Sequence, residues 1–201
     1  MCGMSFNDLI KKLEEQGRAA EDLELIKKGY DFAERAHRGQ KRNSGEPCVN
    51  HPVATASRLV GMRLDSQTVA AALLHDIFEE KPELKKEAEK EFGQEICFLI
   101  EGVTKLNKIK YQGLQRTAES LRKMFLAIGE DIRIVLLKLV DRMNNMETLQ
   151  YLPPEKQIRI ARETLEIYAP LAYRLGMSSL SGQLEDLAFP YVLPREYKWL
   201  M

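Results

Sequence analysis

The stretch TVAAALLHD, residues 68–76, places a histidine and an aspartate side by side at the end of a strongly apolar segment. Ala and Leu favour helix, and a helix that is apolar all round has to be buried. The stretch therefore predicts a buried helix that carries His75 and Asp76 at its end. Helical periodicity recurs along the chain, which contains only 12 glycines and eight prolines. We therefore predict an all-α fold, a compact bundle of about ten helices.

The remaining helices follow from apolar spacing and from helix-breaking residues. A run of apolar residues from Ile132 to Leu137 could alone form a strand, but the helical periodicity around it favours helix. We expect a loop over Lys105–Gly113 and a kink or break at Pro170. The predicted helices that have clear limits are Pro82–Phe92, Gln94–Gly102 after a break at Gly93, Thr117–Ile128, Asp131–Leu149, Glu155–Leu175 and a short final helix, Ser181–Phe189, before Pro190.

The composition limits the possible functions. The 201 residues suit one domain with a small extension, and 44% of them are hydrophobic. Lys plus Arg and Asp plus Glu both number 30, so no basic excess indicates nucleic-acid binding, although a local basic pocket for a small anion stays possible. Three cysteines without CxxC spacing predict a reducing compartment. We find no signal peptide and no membrane-spanning run, and we expect a cytoplasmic location.

Four residues are candidates for a metal site. Neighbouring His75 and Asp76 can direct an imidazole nitrogen and a carboxylate oxygen at one ion, and His51 lies in a turn-rich approach to a helix. Asp141 lies in an apolar helix, where a carboxylate is costly unless a cation or a metal pairs with it. The alternative is an internal ion pair between Asp141 and Arg142 or another arginine. Together the four residues form a mixed nitrogen and oxygen shell, which suits manganese, iron, zinc or nickel better than calcium or magnesium.

Two glutamates follow the His-Asp pair at helical spacing. Glu79 comes four residues after His75, and Glu80 comes four residues after Asp76, so both would lie one turn beyond the metal ligands on a helix. A carboxylate there can take a proton from metal-activated water and return it to a leaving oxygen. The alternative is that Glu79, Glu80 and Lys81 form a solvated helix end.

From about Tyr30 to Tyr197, the sequence resembles the hydrolase domain of the RelA/SpoT-type alarmone enzymes, which are HD-domain phosphohydrolases. The resemblance implies an N-terminal helical extension (residues 1–29), an HD hydrolase domain (30–189) and a C-terminal end or start of a linker (190–201). The matching blocks are Ala36–Gln40, Ser44–Pro47 with His51 and Pro52, Ala71–Asp76, Gly102–Leu106, Arg122–Met124, Lys138–Arg142, and Glu163–Ala172 followed by Arg174–Gly176 and Leu184–Phe189.

This resemblance implies a reaction and assigns roles. Such enzymes remove the 3′-pyrophosphate of ppGpp and pppGpp, yielding GDP or GTP and pyrophosphate, and they use one Mn²⁺ ion. The implied metal ligands are His51, His75, Asp76 and Asp141, and the implied water-activating pair is Glu79 and Glu80. The positions that match the family's contacts to the guanine nucleotide are Lys41, Arg42 and Ser44 for the base and nearby groups, and Asn145 and Thr148 for the ribose and nucleotide.

The sequence departs from the family pattern at several positions. The usual Glu-Asp-Thr is Glu79-Glu80-Lys81 here, and the extra methylene of Glu80 moves a carboxylate by roughly 1.5 Å. Misplacement of about 1 Å can lower a rate about 100-fold. Asn43 replaces a lysine and Asn144 replaces a histidine. Two alternatives therefore stay open: an HD phosphohydrolase for another nucleotide, and a weakly active regulatory module that binds the alarmone.

Long members of the family continue into synthetase and regulatory domains. The resemblance implies that this chain is either a stand-alone hydrolase or a domain that is covalently linked to a synthetase in a longer protein.

Overall fold

The computed structural model of the chain describes residues 5–107, 122 and 124–200. Within these ranges the chain is helical nearly throughout and forms no strand; Lys41 and Pro47 form an isolated antiparallel bridge. The all-α prediction is confirmed. The helices are α1 (Phe6–Glu15), α2 (Ala20–Ala36), α3 (Asn50–Gly61), α4 (Ser66–Leu74), α5 (Ile77–Glu80), α6 (Lys85–Asn107), α7 (Ile132–Glu147), α8 (Pro154–Glu163), α9 (Ala169–Arg174), α10 (Ser178–Val192) and α11 (Pro194–Leu200).

Some of the helix limits predicted from the sequence agree with the structure, and others differ from it. Gly93 has a φ of 81° and interrupts α6 where the sequence predicts a break. Pro82–Leu84 is a 3₁₀ turn, so the α-helix there begins at Lys85. The loop predicted from Lys105 is wrong at its start because α6 continues to Asn107, and the rest of that loop, 108–113, lies outside the described residues. Of the predicted helix Thr117–Ile128, residues 122 and 124–128 are helical, and the others lie outside the described residues.

Two prolines lie within continuous helical segments. A π-helical turn, Thr164–Tyr168, leads directly into α9, so the segment does not break at Pro170, and the predicted kink there stays a prediction. The predicted end of the last helix before Pro190 is wrong, because α10 runs to Val192. Pro190 lies in the last turn of α10 and cannot donate to the carbonyl of Asp186, but the N–H of Leu193 still bonds to the carbonyl of Phe189 at 2.9 Å, so the helix continues past the proline.

Helix α4 lies at the centre of the molecule. All of its residues except Gln67 are buried, and it packs against α2, α3 and α6. At the contact between α2 and α4, a Cβ at Gly29 would lie 3.5 Å from Leu73 Cδ1, which is an ordinary van der Waals distance. Helix α1 contributes Leu9 and Leu13 to the same core. The predicted buried helix is confirmed, and its burial fixes the position of the residues that follow it.

One arginine joins the starts of the two helices that lead to the predicted metal ligands. The Asp65 carboxylate caps α4 by accepting from the N–H of Thr68 at 2.9 Å. The Asp131 carboxylate caps α7 in the same way. The guanidinium of Arg133 lies 2.7 Å from Asp131 Oδ2 and 3.4 Å from Asp65 Oδ1. This contact fixes the ends of α4 and α7 relative to each other.

Helices α6 and α7 also meet closely. A Cβ at Gly102 of α6 would lie 2.4 Å from Ile134 Cδ1, so glycine allows the approach. None of the described helices combines the length and the hydropathy needed to cross a bilayer.

Candidate metal centre and active-site cleft

Three buried side chains from three parts of the fold meet at one point. His51 lies on α3, His75 follows α4 and Asp141 lies on α7, and one ligand atom of each falls within 4.8 Å of the others. His51 Nε2 lies 3.0 Å and His75 Nε2 lies 3.6 Å from Asp141 Oδ1. Asp76 faces the same point, with Oδ1 at 3.1 Å from His75 Nε2 and Oδ2 at 3.7 Å from His51 Nε2.

The orientation of His75 fits a metal ligand. Its Nδ1–H donates to the carbonyl oxygen of Ala72 at 2.8 Å, which leaves the lone pair of Nε2 directed at the cluster. His75 Nε2 is buried and has no hydrogen bond within the described part of the chain. A buried polar atom without a hydrogen bond is costly, and coordination of a cation removes the cost. Two imidazoles and carboxylates are donors that suit a divalent transition metal.

The charges in the cluster support this interpretation. Burial lowers the pKa of His75, but the carboxylates of Asp76 and Asp141 outweigh burial and raise that pKa well above its ordinary value, so the cluster attracts a proton to Nε2, and a metal ion would compete with that proton for the same lone pair. Burial raises the pKa of Asp76, yet His75 and His51 hold it below the usual range. The carboxylates therefore stay ionised and draw positive charge to the point that the ligand atoms face.

The two oxygens of Asp141 have different partners. Oδ1 faces the imidazoles and accepts from Asn145 Nδ2 at 2.7 Å, while Oδ2 accepts from Lys138 Nζ at 2.6 Å. Burial raises the pKa of Asp141, but Lys138 and the two histidines outweigh it and lower that pKa well below the usual range. One oxygen is thus held by an ammonium group, and the other is left to face the metal position.

Asp141 forms its buried ion pair with Lys138 and not with Arg142, so the arginine partner considered from the sequence is wrong. The guanidinium of Arg142 bonds to Glu163 Oε2 at 3.1 Å and lies 4.1 Å from the centre of the Tyr168 ring. Successive helical residues point in different directions, whereas residues three apart lie on one face, which is why Lys138 reaches Asp141.

The acidic pair follows a turn between two helices. Helix α4 ends at Leu74, His75 and Asp76 form the turn, and α5 carries Glu79 and Glu80. The N–H of Glu80 bonds to the carbonyl of Asp76 at 3.0 Å, so the one-turn spacing expected from the sequence survives without a continuous helix. Glu80 Oε2 lies 3.4 Å from His37 Nδ1.

The cluster opens into a cleft of about 670 Å³, and a smaller cavity of about 280 Å³ adjoins it. Arg42 and Asn145 line both cavities and share a hydrogen bond of 3.0 Å. His75 is fully buried and lines neither cavity. Most of the site residues predicted from the sequence line one of these two cavities. Those on the larger cleft are Lys41, Arg42, His51, Asp76, Glu79, Glu80, Asp141 and Asn145. Those on the smaller cavity are Arg42, Ser44, Asn145 and Thr148.

Several lining residues were not predicted from the sequence. Lys138 was detectable from its spacing to Asp141 on one helix face. Arg142, Arg159 and Tyr168 reach the cleft only through the packing of α7 against the segments that follow it, so no local signal marks them. His37 also lines the cleft and is buried.

Asn144, one of the departures from the family pattern, forms hydrogen bonds through both its amide nitrogen and its amide oxygen. Its Nδ2 donates to Thr55 Oγ1 at 2.8 Å, and its Oδ1 accepts from Arg58 Nε at 2.8 Å. Thr55 in turn donates to the carbonyl of His51 at 3.1 Å. Asn144 therefore connects α7 to the helix that carries a candidate ligand.

Comparisons with known proteins identify the family of the chain. A family model described as HD domain matches residues 29–178. The chain is 45% identical over 194 residues to the guanosine-3′,5′-bis(diphosphate) 3′-pyrophosphohydrolase of Vibrio cholerae, covering 96% of this chain and 28% of the relative. It is 46% identical over 179 residues to the bifunctional (p)ppGpp synthase/hydrolase SpoT of Escherichia coli, covering 89% and 26%. The chain thus spans about a quarter of the length of these curated relatives.

A solved structure of a metazoan SpoT ortholog that hydrolyses ppGpp superposes with a TM-score of 0.60. The match covers 88% of this chain and 98% of that one at 23% identity, and it supports the fold.

Proposed function

The chain belongs to the HD-domain family, and from that premise we propose that it hydrolyses the 3′-pyrophosphate of ppGpp and pppGpp with the help of a divalent metal. The observation that carries the proposal is the convergence of His51, His75 and Asp141 at the base of a cleft, with an imidazole nitrogen that has no hydrogen bond in the described structure. The names of the curated relatives point to the same reaction.

In this proposal His51, His75, Asp76 and Asp141 hold one Mn²⁺ ion. The mixed nitrogen and oxygen donors favour a transition metal over Mg²⁺ or Ca²⁺. When bound, such an ion lowers the pKa of water and stabilises negative charge on a phosphoryl oxygen. Lys138 supports the site by fixing the second oxygen of Asp141 at 2.6 Å.

The reaction consumes one water molecule. Its oxygen adds to the phosphorus attached to the 3′ oxygen, the bond between that phosphorus and the 3′ oxygen breaks, and pyrophosphate leaves the nucleotide. Glu79 and Glu80, on the cleft wall, are the proposed acceptors of the water proton. One of them returns a proton to the 3′ oxygen, so that GDP or GTP is released with a free hydroxyl.

The nucleotide is proposed to extend from the larger cleft into the smaller cavity. Ser44 Oγ is buried there without a hydrogen bond to any described residue, which suits a contact to a ligand. The proposed contacts to the guanosine come from Lys41, Arg42, Ser44, Asn145 and Thr148. Arg142 and Arg159 add positive charge to the cleft, where phosphate groups would otherwise be repelled by the acidic pair.

The test is metal-dependent release of pyrophosphate and GDP from ppGpp by the purified chain, compared across Mn²⁺, Mg²⁺, Zn²⁺ and a chelator. We expect turnover with Mn²⁺ and a loss of about 100-fold or more in His75→Ala and Asp76→Ala, because each removes a metal ligand and even the loss of a ligand's hydrogen-bond partner lowers activity about 10- to 100-fold. Asp186→Ala, an exposed carboxylate outside the cleft, is the matched control. Intact ppGpp together with cleavage of another nucleotide would contradict the proposal.

Tight binding of ppGpp without turnover would instead favour a regulatory module, the alternative that the longer Glu80 side chain raises.

We propose that residues 30–189 form the hydrolase domain and that the protein acts in the cytoplasm on a small-molecule guanine nucleotide. Limited proteolysis followed by assay of the fragment tests the domain limits.

A further inference from the structure

His37 is a buried imidazole on the cleft wall that has no role in the chemistry described above. It follows the last residue of α2, and its side chain is 3% exposed. It belongs to the block Ala36–Gln40, which the proposed metal and nucleotide contacts leave without a function.

The Nδ1 atom of His37 faces two acceptors. It lies 2.9 Å from Gln40 Oε1 and 3.4 Å from Glu80 Oε2. Because the amide oxygen of Gln40 only accepts, Nδ1 carries the proton. The Nδ1–H group of His37 therefore also faces the carboxylate of Glu80, from the buried side of the cleft wall. Glu80 is 46% exposed and has one more rotatable bond than aspartate, so a fixed donor restricts a side chain that is otherwise mobile.

A second contact strengthens this arrangement. Lys81 Nζ donates to the carbonyl oxygen of Ala36, the residue before His37. Two consecutive residues at the end of α5 thus contact two consecutive residues at the end of α2. Glu80 and Lys81 are also the two positions where the sequence departs from the Glu-Asp-Thr pattern of its family.

We propose that His37 is a positioning residue for the hydrolytic reaction, holding the longer Glu80 carboxylate in place through Nδ1–H while Lys81 fixes the backbone of α5 to α2. The inference rests on the proposed function. It gives a physical reason why a glutamate can occupy this position: the extra methylene is offset by a fixed partner in the wall. A carboxylate that is free to rotate would spend less time at the distance that proton transfer requires.

The experiment measures kcat and KM for ppGpp in His37→Phe, His37→Asn and Glu80→Gln, and in the double variant that combines His37→Phe with Glu80→Gln. Phenylalanine fills the buried space without a donor, and the amide nitrogen of asparagine lies close to the position of Nδ1. We expect kcat to fall about tenfold in His37→Phe with KM within about twofold of the wild type, and His37→Asn to restore most of kcat. Arg38→Ala, at the exposed next position, is the matched control.

The double variant separates positioning from packing. If His37 acts through Glu80, His37→Phe lowers kcat no further in the Glu80→Gln background. Multiplied losses, or a kcat for His37→Phe equal to that of the wild type, would overturn the inference. If His37→Phe does not fold at the assay temperature, His37→Gln, which moves the amide nitrogen away from Nδ1, is measured in its place. A wild-type chain that does not cleave ppGpp refutes the proposed function, which is a different outcome from an active chain insensitive to His37.

Discussion

Replacing Lys138 with methionine removes an ammonium group beside Asp141 and keeps a side chain of similar length. Lys138 Nζ lies 2.6 Å from Asp141 Oδ2, and both side chains are buried. Breaking a buried ion pair from one side costs about 3–5 kcal/mol, because the remaining charge is left without its partner. The Oδ1 atom of Asp141 keeps its contacts to His51 and Asn145, so we expect the lower end of that range.

For a chain of this size, 1 kcal/mol corresponds to about 2–4 °C in Tm. In a chelator, Lys138→Met should therefore melt about 6–12 °C below the wild type. A bound divalent cation replaces the missing positive charge, so saturating Mn²⁺ should raise the Tm of the variant by more than it raises the Tm of the wild type.

The assay is thermal unfolding by circular dichroism in EDTA and at one fixed Mn²⁺ concentration. Lys28→Met is the matched control, because Lys28 forms an ion pair of 2.9 Å with Glu24 but both side chains are largely exposed. Exposed pairs contribute little, so this variant should melt close to the wild type. A Tm for Lys138→Met within about 2 °C of the wild type in EDTA, or a smaller rise with Mn²⁺, would refute the reasoning.

Two further predictions concern stability and thiol chemistry. Asp65→Ala removes the N-cap of α4 and the contact to Arg133, so urea unfolding should show a loss of about 1 kcal/mol; an unchanged midpoint would contradict the role of this cap. Burial and the charges of Glu89 and Glu101 raise the pKa of Cys97 to about 11. At pH 8 its thiolate fraction, and hence its alkylation by iodoacetamide, should be about 200-fold below that of an ordinary thiol. Mass spectrometry of the alkylated peptide measures this rate, and a rate like that of a free thiol would show that Cys97 is not buried.

The helical class and the central helix could be predicted from local sequence. The stretch at 68–76 has no polar face, so burial was the only favourable place for a helix there, and α4 is buried. The break at Gly93 was visible because glycine adopts a positive φ without strain. The effects of Pro170 and Pro190 could not be predicted from the local sequence, because whether a helix breaks at a proline depends on what packs around the missing hydrogen bond.

For the candidate metal site, too, the sequence predicted one part and missed another. The sequence determined its chemistry: an adjacent His75 and Asp76, and a carboxylate, Asp141, inside an apolar helix that needed a cation. The partner of Asp141 was misjudged, because the sequence neighbour Arg142 was considered rather than Lys138 on the same helix face.

Only the tertiary structure decided which distant groups meet. Arg42 reaches Asn145, and His37 lies against Glu80, across helices that no local pattern relates. Helical periodicity states which side of a helix a residue occupies, but the distance between two helices depends on the size of the residues at their contact, and Gly102, which has no side chain, lets α6 approach α7. The sequence by itself therefore determined the kind of chemistry, and the packing of α2, α4 and α7 decided which side chains hold it in place.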